Sequence, residues 1–406
     1  MNILQAHKYF WRRDGASNYA VNLSQDLKDS GHKVVPFTMD QAQTLDSDYS
    51  DHYITAYDLS QPDKYSLLKK IEIASKMIYN NEARQNMDDL LEEVEIEIAH
   101  LHNIYHHISP SILPSLSRKG ASTVMTLHDY KLIAPNYTLF HHGEIHEEDC
   151  EGWHLSCIEN KCMEDDFLKS ALVTLEMIVH HKIWNVYEKY IDKFIAPSKF
   201  MKDICTRYGW KEEDFVHIPN PIDLDQFDFS LEDGDYVAYI GRLSEEKGVE
   251  IMLEAAEKLP EIPFRLVGSG SKQEELKQTV KEKNLDNVTF DGFLSGEPLR
   301  KRIRGAELVI LPSIWYENYP ISILEAKAMG RIPIASNIGG LPEQLPEELL
   351  FESGNSDKLA KKIDTWFHES KEKKDRLREK LRREVEQEND PEKHLEEVLS
   401  LYRDIK

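Results

Sequence analysis

Leu311 to Gly330 reads Leu-Pro-Ser-Ile-Trp-Tyr-Glu-Asn-Tyr-Pro-Ile-Ser-Ile-Leu-Glu-Ala-Lys-Ala-Met-Gly. A strand runs into a loop, Pro320 stands where a first helical residue is expected, and Gly330 marks the helix end. Glu317 then lies in the loop just outside the helix N-terminus, and Glu325 more than one turn inside. Between them the amides of Asn318, Tyr319, Ile321 and Ser322 point out of the helix start. Free amides at the positive end of a helix dipole form an anion site. A carboxylate on either side suits a ligand whose hydroxyls flank a phosphate. The bare spacing of two glutamates means nothing in so acidic a chain; the strand, loop, proline, helix and glycine around them give it meaning.

Tyr236-Val-Ala-Tyr-Ile-Gly-Arg-Leu-Ser-Glu-Glu-Lys-Gly248 supplies cations. Arg242 and Lys247 follow Gly241 at the C-terminal end of a buried strand, where open α/β sheets bind ligands. Two cations there hold a diphosphate and stabilise it as a leaving group, taking the part of a metal ion. The plainer alternative pairs them with Glu245 or Glu246. Phe264-Arg-Leu-Val-Gly-Ser-Gly270 places Gly268 at another strand end, although it is not a complete G-x-G-x-x-G. In the first half, Thr123-Val-Met-Thr-Leu-His-Asp129 puts His128 at the mouth of a strand, and Gly15, Ala16 and Ser17 form a small-residue loop before a helix. A lone histidine is also compatible with a purely structural role.

These residues need strands that end together. Apolar runs at Asn2–Ala6, Lys33–Phe37, Ile96–Leu101, Thr123–Leu127 and Phe194–Ala196 read as one series of strands. Tyr236–Gly241, Phe264–Gly268, Val288–Phe290, Leu308–Leu311 and Ile332–Ala335 read as a second. Helical patterns lie between them; the first spans Asn18 to Asp29. Strand–helix alternation implies right-handed crossovers and parallel sheets. The expected fold is α/β, with two Rossmann-like domains facing a cleft. Residues 1–217 form the first domain and residues 218–390 the second. The linker is expected at His217 to Leu224, and a C-terminal helix, 391–406, is expected to return to the first domain. Ser66 to Val94 reads as a polar helix or helix pair inserted on the surface, and Lys371 to Glu388 as a solvated, mixed-charge helix face.

Composition limits the function. Lys+Arg number 50 and Asp+Glu 73, a net charge of −23, and hydrophobic residues make up 40%. The apolar fraction fills real cores, while the charge argues against nucleic acid as a partner. Electrostatic attachment to an anionic membrane is expected to be weak or local. The N-terminus, Met1-Asn2-Ile3-Leu4-Gln5-Ala6, predicts no signal peptide, and four cysteines form no disulfide framework. Both point to a cytoplasmic protein.

The motifs resemble those of retaining GT-B glycosyltransferases of family 4, the glycosyl-transferase group 1 superfamily. The resemblance covers nearly the whole chain. It rests on Gly241-Arg242, Lys247-Gly248, Val267-Gly268-Ser-Gly270, Gly292-Phe293, Pro312-Ser313, Glu317, Glu325-Ala326 and Ile338-Gly339-Gly340-Leu341-Pro342-Glu343. In the first half Gly31-His32-Lys33-Val34, Leu101-His102-Asn103 and Pro219-Asn220-Pro221 are similar to the family's acceptor domain.

The resemblance implies a nucleoside-diphosphate sugar as donor, UDP- or GDP-linked, a glycan or glycolipid acceptor, and no required cofactor. Arg242 and Lys247 would hold the diphosphate, Glu325 the ribose, and Glu317 with the amides of Asn318 and Tyr319 the transferred sugar. His128 would reach that sugar across the cleft. Gly15 and Ala16 would border donor and acceptor, and backbone near Phe293 would edge the base. A nucleotide-sugar epimerase of this fold and a catalytically silent scaffold are the alternatives. The chain departs from the family's common Gly-Phe-Gly at Asn318-Tyr319-Pro320, where proline removes one amide, and from a Gly-Gly pair at Gly15-Ala16.

His141 to Cys162 gathers histidines with Cys150, Cys157 and Cys162. Three readings stand: a structural zinc on the three cysteines, a redox pair of two of them, or an acceptor-facing loop with free thiols. The spacing lacks the Cys-x2-Cys knuckle common in zinc sites. Phe167 to Tyr190 is an apolar stretch expected to pack in the core or to touch a membrane-held acceptor, peripherally at the inner membrane face.

Overall fold

The structure, a computed structural model, describes residues 1–406 apart from Ser60, Pro62 and Asp63. The first sheet comprises β1 (Asn2–Ala6), β2 (Lys33–Phe37), β3 (Ile98–Leu101), β4 (Ser122–Thr126), β5 (Lys193–Ala196) and β6 (Phe215–His217). Their spatial order is β6-β5-β4-β3-β1-β2. The second comprises β7 (Tyr236–Ile240), β8 (Phe264–Val267), β9 (Val288–Gly292), β10 (Ala306–Leu311), β11 (Ile332–Ser336) and β12 (Leu350–Phe351), in the order β9-β8-β7-β10-β11-β12. Every neighbouring pair in both sheets is parallel. Helices cover both faces of such sheets, so central strands are apolar throughout rather than alternating. All residues of β7 and β10 are buried accordingly.

The helices that matter for the site are α1 (Gly15–Asp29), α2 (Leu67–Ile78), α3 (Asn81–Glu93), α4 (Phe167–Met177), α5 (Ile321–Ala328), α6 (Lys371–Glu388) and α7 (Pro391–Ile405). Four expectations change. Gly15 to Ser17 are the first turn of α1 and not a loop, because the Asp14 carboxylate caps the Ser17 amide and starts the helix three residues early. Residues 66–94 are a helix pair whose second member buries Ala83, Met87, Leu90 and Leu91 in the first domain's core, so α3 is not a surface insertion. His217 belongs to β6 and therefore not to the linker. Helix α6 is not wholly solvated: Leu377, Leu381 and Val385 are buried, as are Lys374 and Arg378.

Helix α7 lies on the first sheet. Val398, Leu401 and Tyr402 share a cluster with Ile3, Tyr19 and Leu23. The chain thus crosses between domains twice. The crossings are laced together where the Ile222 amide donates to Asn389 O and Asn389 Nδ2 donates to Asn220 O.

Each sheet has one point where successive connections leave in opposite directions, and ligands bind at the carboxyl ends of the strands there. In the second sheet it lies between β7 and β10, in the first between β1 and β3. The loops after those strands carry the candidate residues.

Candidate functional site

The β7 and β10 loops are fastened together. Lys247 Nζ donates to Glu317 Oε1 at 2.6 Å, and Ser313 Oγ donates to the same oxygen at 2.5 Å. The Ile314 amide donates to Glu246 O. Gly248 has φ +62°, and a Cβ there would stand 2.0 Å from Pro312 O. Glycine is thus required for the two loops to meet. Glu317 is 4% exposed. Burial alone would raise its carboxyl, but the Lys247 charge and the Lys247 and Ser313 hydrogen bonds hold it below its ordinary value. Lys247 also lies over the Trp315 ring at 4.7 Å. Arg242 pairs with Glu246 at 3.1 Å, and its side chain is largely exposed. The two cations therefore divide: Arg242 takes the local glutamate partner and Lys247 takes Glu317.

Pro320 is the residue before helix α5 and not its first, because its ψ of 124° is extended. The first-turn amides of Ile321 and Ser322 are the ones the helix cannot bond internally. The Gly340 amide donates to Glu317 O, and a Cβ on Gly340 would stand 1.9 Å from Asn318 O. The Gly339-Gly340 pair thus seats the Glu317 loop from below. Tyr319 turns away from the cleft: Asn389 Nδ2 donates to its hydroxyl and its ring packs against Ile222, so only its backbone can serve a ligand. Glu325 has a partly buried carboxyl that burial pushes up from 4.5 to about 7. Gly241 donates to Val267 O, and Gly268 donates to Gly292 O, which aligns the ends of β7, β8 and β9. Phe293 follows β9 with an exposed side chain.

Asn318 bridges the domains. Its Nδ2 donates to Leu127 O at 2.9 Å, and its Oδ1 accepts from Ser198 Oγ at 2.8 Å. Leu127 immediately precedes His128, so the Glu317 loop of the second domain meets the first domain one residue from His128. His128 is partly buried, and its ring lies 5.2 Å from Tyr19, one turn along α1 from Gly15 and Ala16. Burial, with the nearby His7, lowers it to about 3, so it stays neutral at physiological pH.

Sequence reasoning missed what holds His128. His102 Nδ1 lies 3.1 Å from His128 Nε2, and His102 Nε2 lies 2.8 Å from Gln5 Oε1. With the Gln5 oxygen accepting from Nε2, His102 Nδ1 accepts from His128. His128 Nδ1 is then left as an acceptor. His100, stacked on His102 at 4.5 Å, is hydrogen-bonded to Tyr402 of α7. The alternation His100-x-His102 at a strand end was the available signal.

The cysteines do not form the trithiolate considered above. Cys157 and Cys162 are joined in a disulfide, and Cys150 is a buried free thiol. Asp149 brings a carboxylate oxygen within 4.8 Å of both bonded sulfurs, but neither sulfur is available as a thiolate.

Two Rossmann-like domains, with switch-point loops that meet across a cleft, define the GT-B class of proteins. The chain belongs to Glycosyltransferase Family 4, whose profile matches residues 13–226; that of Glycosyl transferases group 1 matches residues 222–384. An uncharacterized glycosyltransferase of Methanocaldococcus jannaschii is 29% identical over 175 residues, which is 38% of this chain and 45% of that protein. The chain thus spans less than half the length of that relative. Sucrose-phosphate synthase of Thermosynechococcus elongatus matches with a TM-score of 0.71 and 20% identity, covering 99% of this chain and 98% of that one. Anabaena HepE in complex with UDP-glucose matches with a TM-score of 0.68 and 17% identity over 100% of both chains. These two likenesses show the fold. Among the described residues, no helix is long and apolar enough to cross a membrane.

Proposed function

We propose that this chain is a retaining glycosyltransferase that moves a sugar from a UDP- or GDP-sugar to a glycan or lipid-linked acceptor, in the cytoplasm or peripherally at the inner membrane face. The observation that carries this reading is the Lys247–Glu317 pair at the switch point of the second sheet, beside the Asn318–Leu127 bridge to His128. The neighbour bound to UDP-glucose supports a donor of that kind.

Arg242 and Lys247 neutralise the diphosphate as charge develops on it, so no metal ion is required. The first-turn amides of α5 hold phosphate or sugar oxygens, with one fewer amide because of Pro320. Glu317 accepts hydrogen bonds from sugar hydroxyls, and neutral His128 serves as a hydrogen-bonding group. The bond between the anomeric carbon and the phosphate oxygen breaks, and the acceptor oxygen bonds to that carbon on the same face. The acceptor's proton passes to the departing phosphate. No protein nucleophile takes part, and configuration is retained.

A panel of nucleotide sugars, read by melting temperature and by released nucleoside diphosphate, tests the proposal. One nucleotide sugar should raise the melting temperature, and turnover should be unchanged by EDTA. The absence of a shift with every nucleotide sugar and nucleoside diphosphate would sink it. An isomerised nucleotide sugar formed without acceptor would mark an epimerase instead.

Glu325 carries a pH prediction. Only the ionised carboxylate accepts two ribose hydroxyls, and its pKa is about 7. Donor affinity should therefore rise with pH and level off above about 8, with roughly tenfold weaker binding at pH 6 than at the plateau. The sign for stability is opposite: the folded state binds this proton more tightly, so its contribution falls as pH climbs from 4.5 to about 7. Titrations of the identified nucleotide sugar at several pH values, with Glu325→Gln showing a flat profile, check both the residue and the sign.

A further inference from the structure

The segment His141 to Cys162, which the proposed reaction does not use, reaches the second domain at two points. Glu147 Oε1 accepts from the Tyr316 hydroxyl at 2.6 Å, and Tyr316 is the residue before Glu317. Gly143 lies against the other site loop, where a Cβ would stand 3.4 Å from Glu245 Oε1. Glu147 Oε2 accepts from the Tyr208 hydroxyl at 2.6 Å and from Arg207 at 2.9 Å, at the end of the first-domain helix Lys199–Arg207. The carboxylate thus gathers three donors, one of them from the opposite domain. Burial alone would raise it, but the two tyrosine hydroxyls and the Arg207 charge hold it below its ordinary value. Burial and the Glu147 carboxylate push the Tyr316 hydroxyl up to about 12. The bond therefore keeps its charge-assisted form, hydroxyl to carboxylate, across the neutral range.

The segment is braced to hold that carboxylate in place. Asp149 is fully buried; its carboxylate lies 2.8 Å from His141 Nε2 and accepts from Asn160 Nδ2 at 3.4 Å, and its carbonyl lies 2.9 Å from His154 Nδ1. His141 stacks on His146 with ring centroids 3.8 Å apart, and the Cys157–Cys162 disulfide closes the far end. On the other side of the bond, the Tyr316 ring packs on Phe200 at 4.8 Å. Asn318, the residue after Glu317, is bonded to Leu127 and Ser198 of the first domain. Both chain neighbours of Glu317 are therefore held by the first domain, whereas its carboxylate is held by Lys247 and Ser313 of the second.

We propose that Glu147 is a positioning residue for the transfer: acting through Tyr316, it fixes the Glu317 loop where that carboxylate meets the sugar hydroxyls. The geometry of the donor site then depends on the two domains being together, and the segment His141 to Cys162 is the arm that joins them. A misplacement of about 1 Å costs on the order of 10²-fold in rate at a preorganised site. Asn318 still anchors the loop when the Glu147 bond is lost, so the loss is expected to be about tenfold. Arg242 and Lys247 are not held by Tyr316, so donor binding is retained. The consequence for rate rests on the glycosyltransferase reading; the placement of the loop does not.

Hydrogen exchange of the full chain without ligand, read by mass spectrometry on the peptide covering residues 313–319, tests the placement directly. Glu147→Ala and Tyr316→Phe should each speed exchange there about tenfold, and Glu147→Gln, whose amide oxygen still accepts from Tyr316, by less. Tyr208→Phe removes a bond of the same length on the first-domain side alone and should leave that peptide within about twofold. Turnover of the nucleotide sugar selected by the donor panel is then read by released nucleoside diphosphate. Glu147→Ala and Tyr316→Phe should each lower kcat about tenfold with donor KM within about twofold, and the double variant should fall no further than the worse single one. The proposal is overturned if Tyr316→Phe exchanges like the unaltered protein, or if Tyr208→Phe loosens the peptide equally, which would mark a merely structural contact. It is equally overturned if KM alone responds, or if the two losses multiply in the double variant. If no nucleotide sugar turns over, the glycosyltransferase reading fails, while the exchange result still decides for or against Glu147.

Discussion

If Lys247 holds the diphosphate as proposed, Lys247→Ala should lower kcat by about 10²–10³-fold, the loss expected when one preorganised donor to a developing negative charge is removed. The size follows from position. Lys247 Nζ is held by Glu317 at 2.6 Å and against Trp315 at 4.7 Å, so its charge is fixed before the donor arrives and costs no reorganisation during reaction. The same change leaves the Glu317 carboxylate buried without its cation, which destabilises the second domain as well. Turnover should be measured below the lowered melting temperature, with kcat and KM separated. Glu317→Gln keeps shape and separates the two effects: turnover falls while most of the stability returns. Arg242→Ala, at a more exposed position, should act more on donor KM. Turnover by Lys247→Ala within a factor of a few of the unaltered protein would remove lysine from the mechanism.

Glu307→Ala has the largest expected effect on stability. Glu307 opens β10, the strand whose far end leads to Glu317. Arg378 of α6 donates to both its oxygens at 2.9 Å, and Lys374 reaches it at 2.6 Å. Arg378 is fully buried and Glu307 1% exposed. Deleting the carboxylate leaves the buried guanidinium with Asp233 at 2.9 Å and Asp375 at 3.1 Å alone, so the loss is expected at the low end for a broken buried pair, about 3 kcal/mol. The second domain's melting transition should fall by roughly 10 °C, read by calorimetry so that the two domains are resolved. Arg378→Ala should cost less, because Lys374 remains beside Glu307. A change of under about 1 kcal/mol for Glu307→Ala would mean that water replaces the ion pair.

The Glu307 network also shows where sequence reading stops. The alternating charges of Lys371 to Glu388 have the pattern of a solvated helix, and most of them are that. Arg378 and Lys374 are buried only because α6 crosses the start of β10, a contact between residues 71 apart that no local pattern encodes. The acidic residue at the start of an otherwise apolar strand was the one visible hint. The apolar stretch from Phe167 to Tyr190 behaves in the opposite way. Composition points to the core, whereas tertiary packing buries one face of it and leaves the other in solvent.

The strands and the order of the motifs were legible for a physical reason. A parallel strand covered on both faces must be apolar along its length, and ligand loops follow strand ends, so Gly241 to Gly248 and Pro312 to Glu325 announce themselves locally. Gly248 and Gly340 were legible as glycines, but their purpose is visible only against Pro312 O and Asn318 O. The sequence by itself determined the two-sheet architecture, the family and the residue types at the cleft. Tertiary structure alone decided that Lys247 pairs with Glu317, that Asn318 reaches Leu127, that His102 holds His128, and that α7 closes over β1 and β3. Each of these joins side chains from distant parts of the chain, and hydrogen-bond geometry at about 3 Å is set by the packing of whole elements rather than by local pattern.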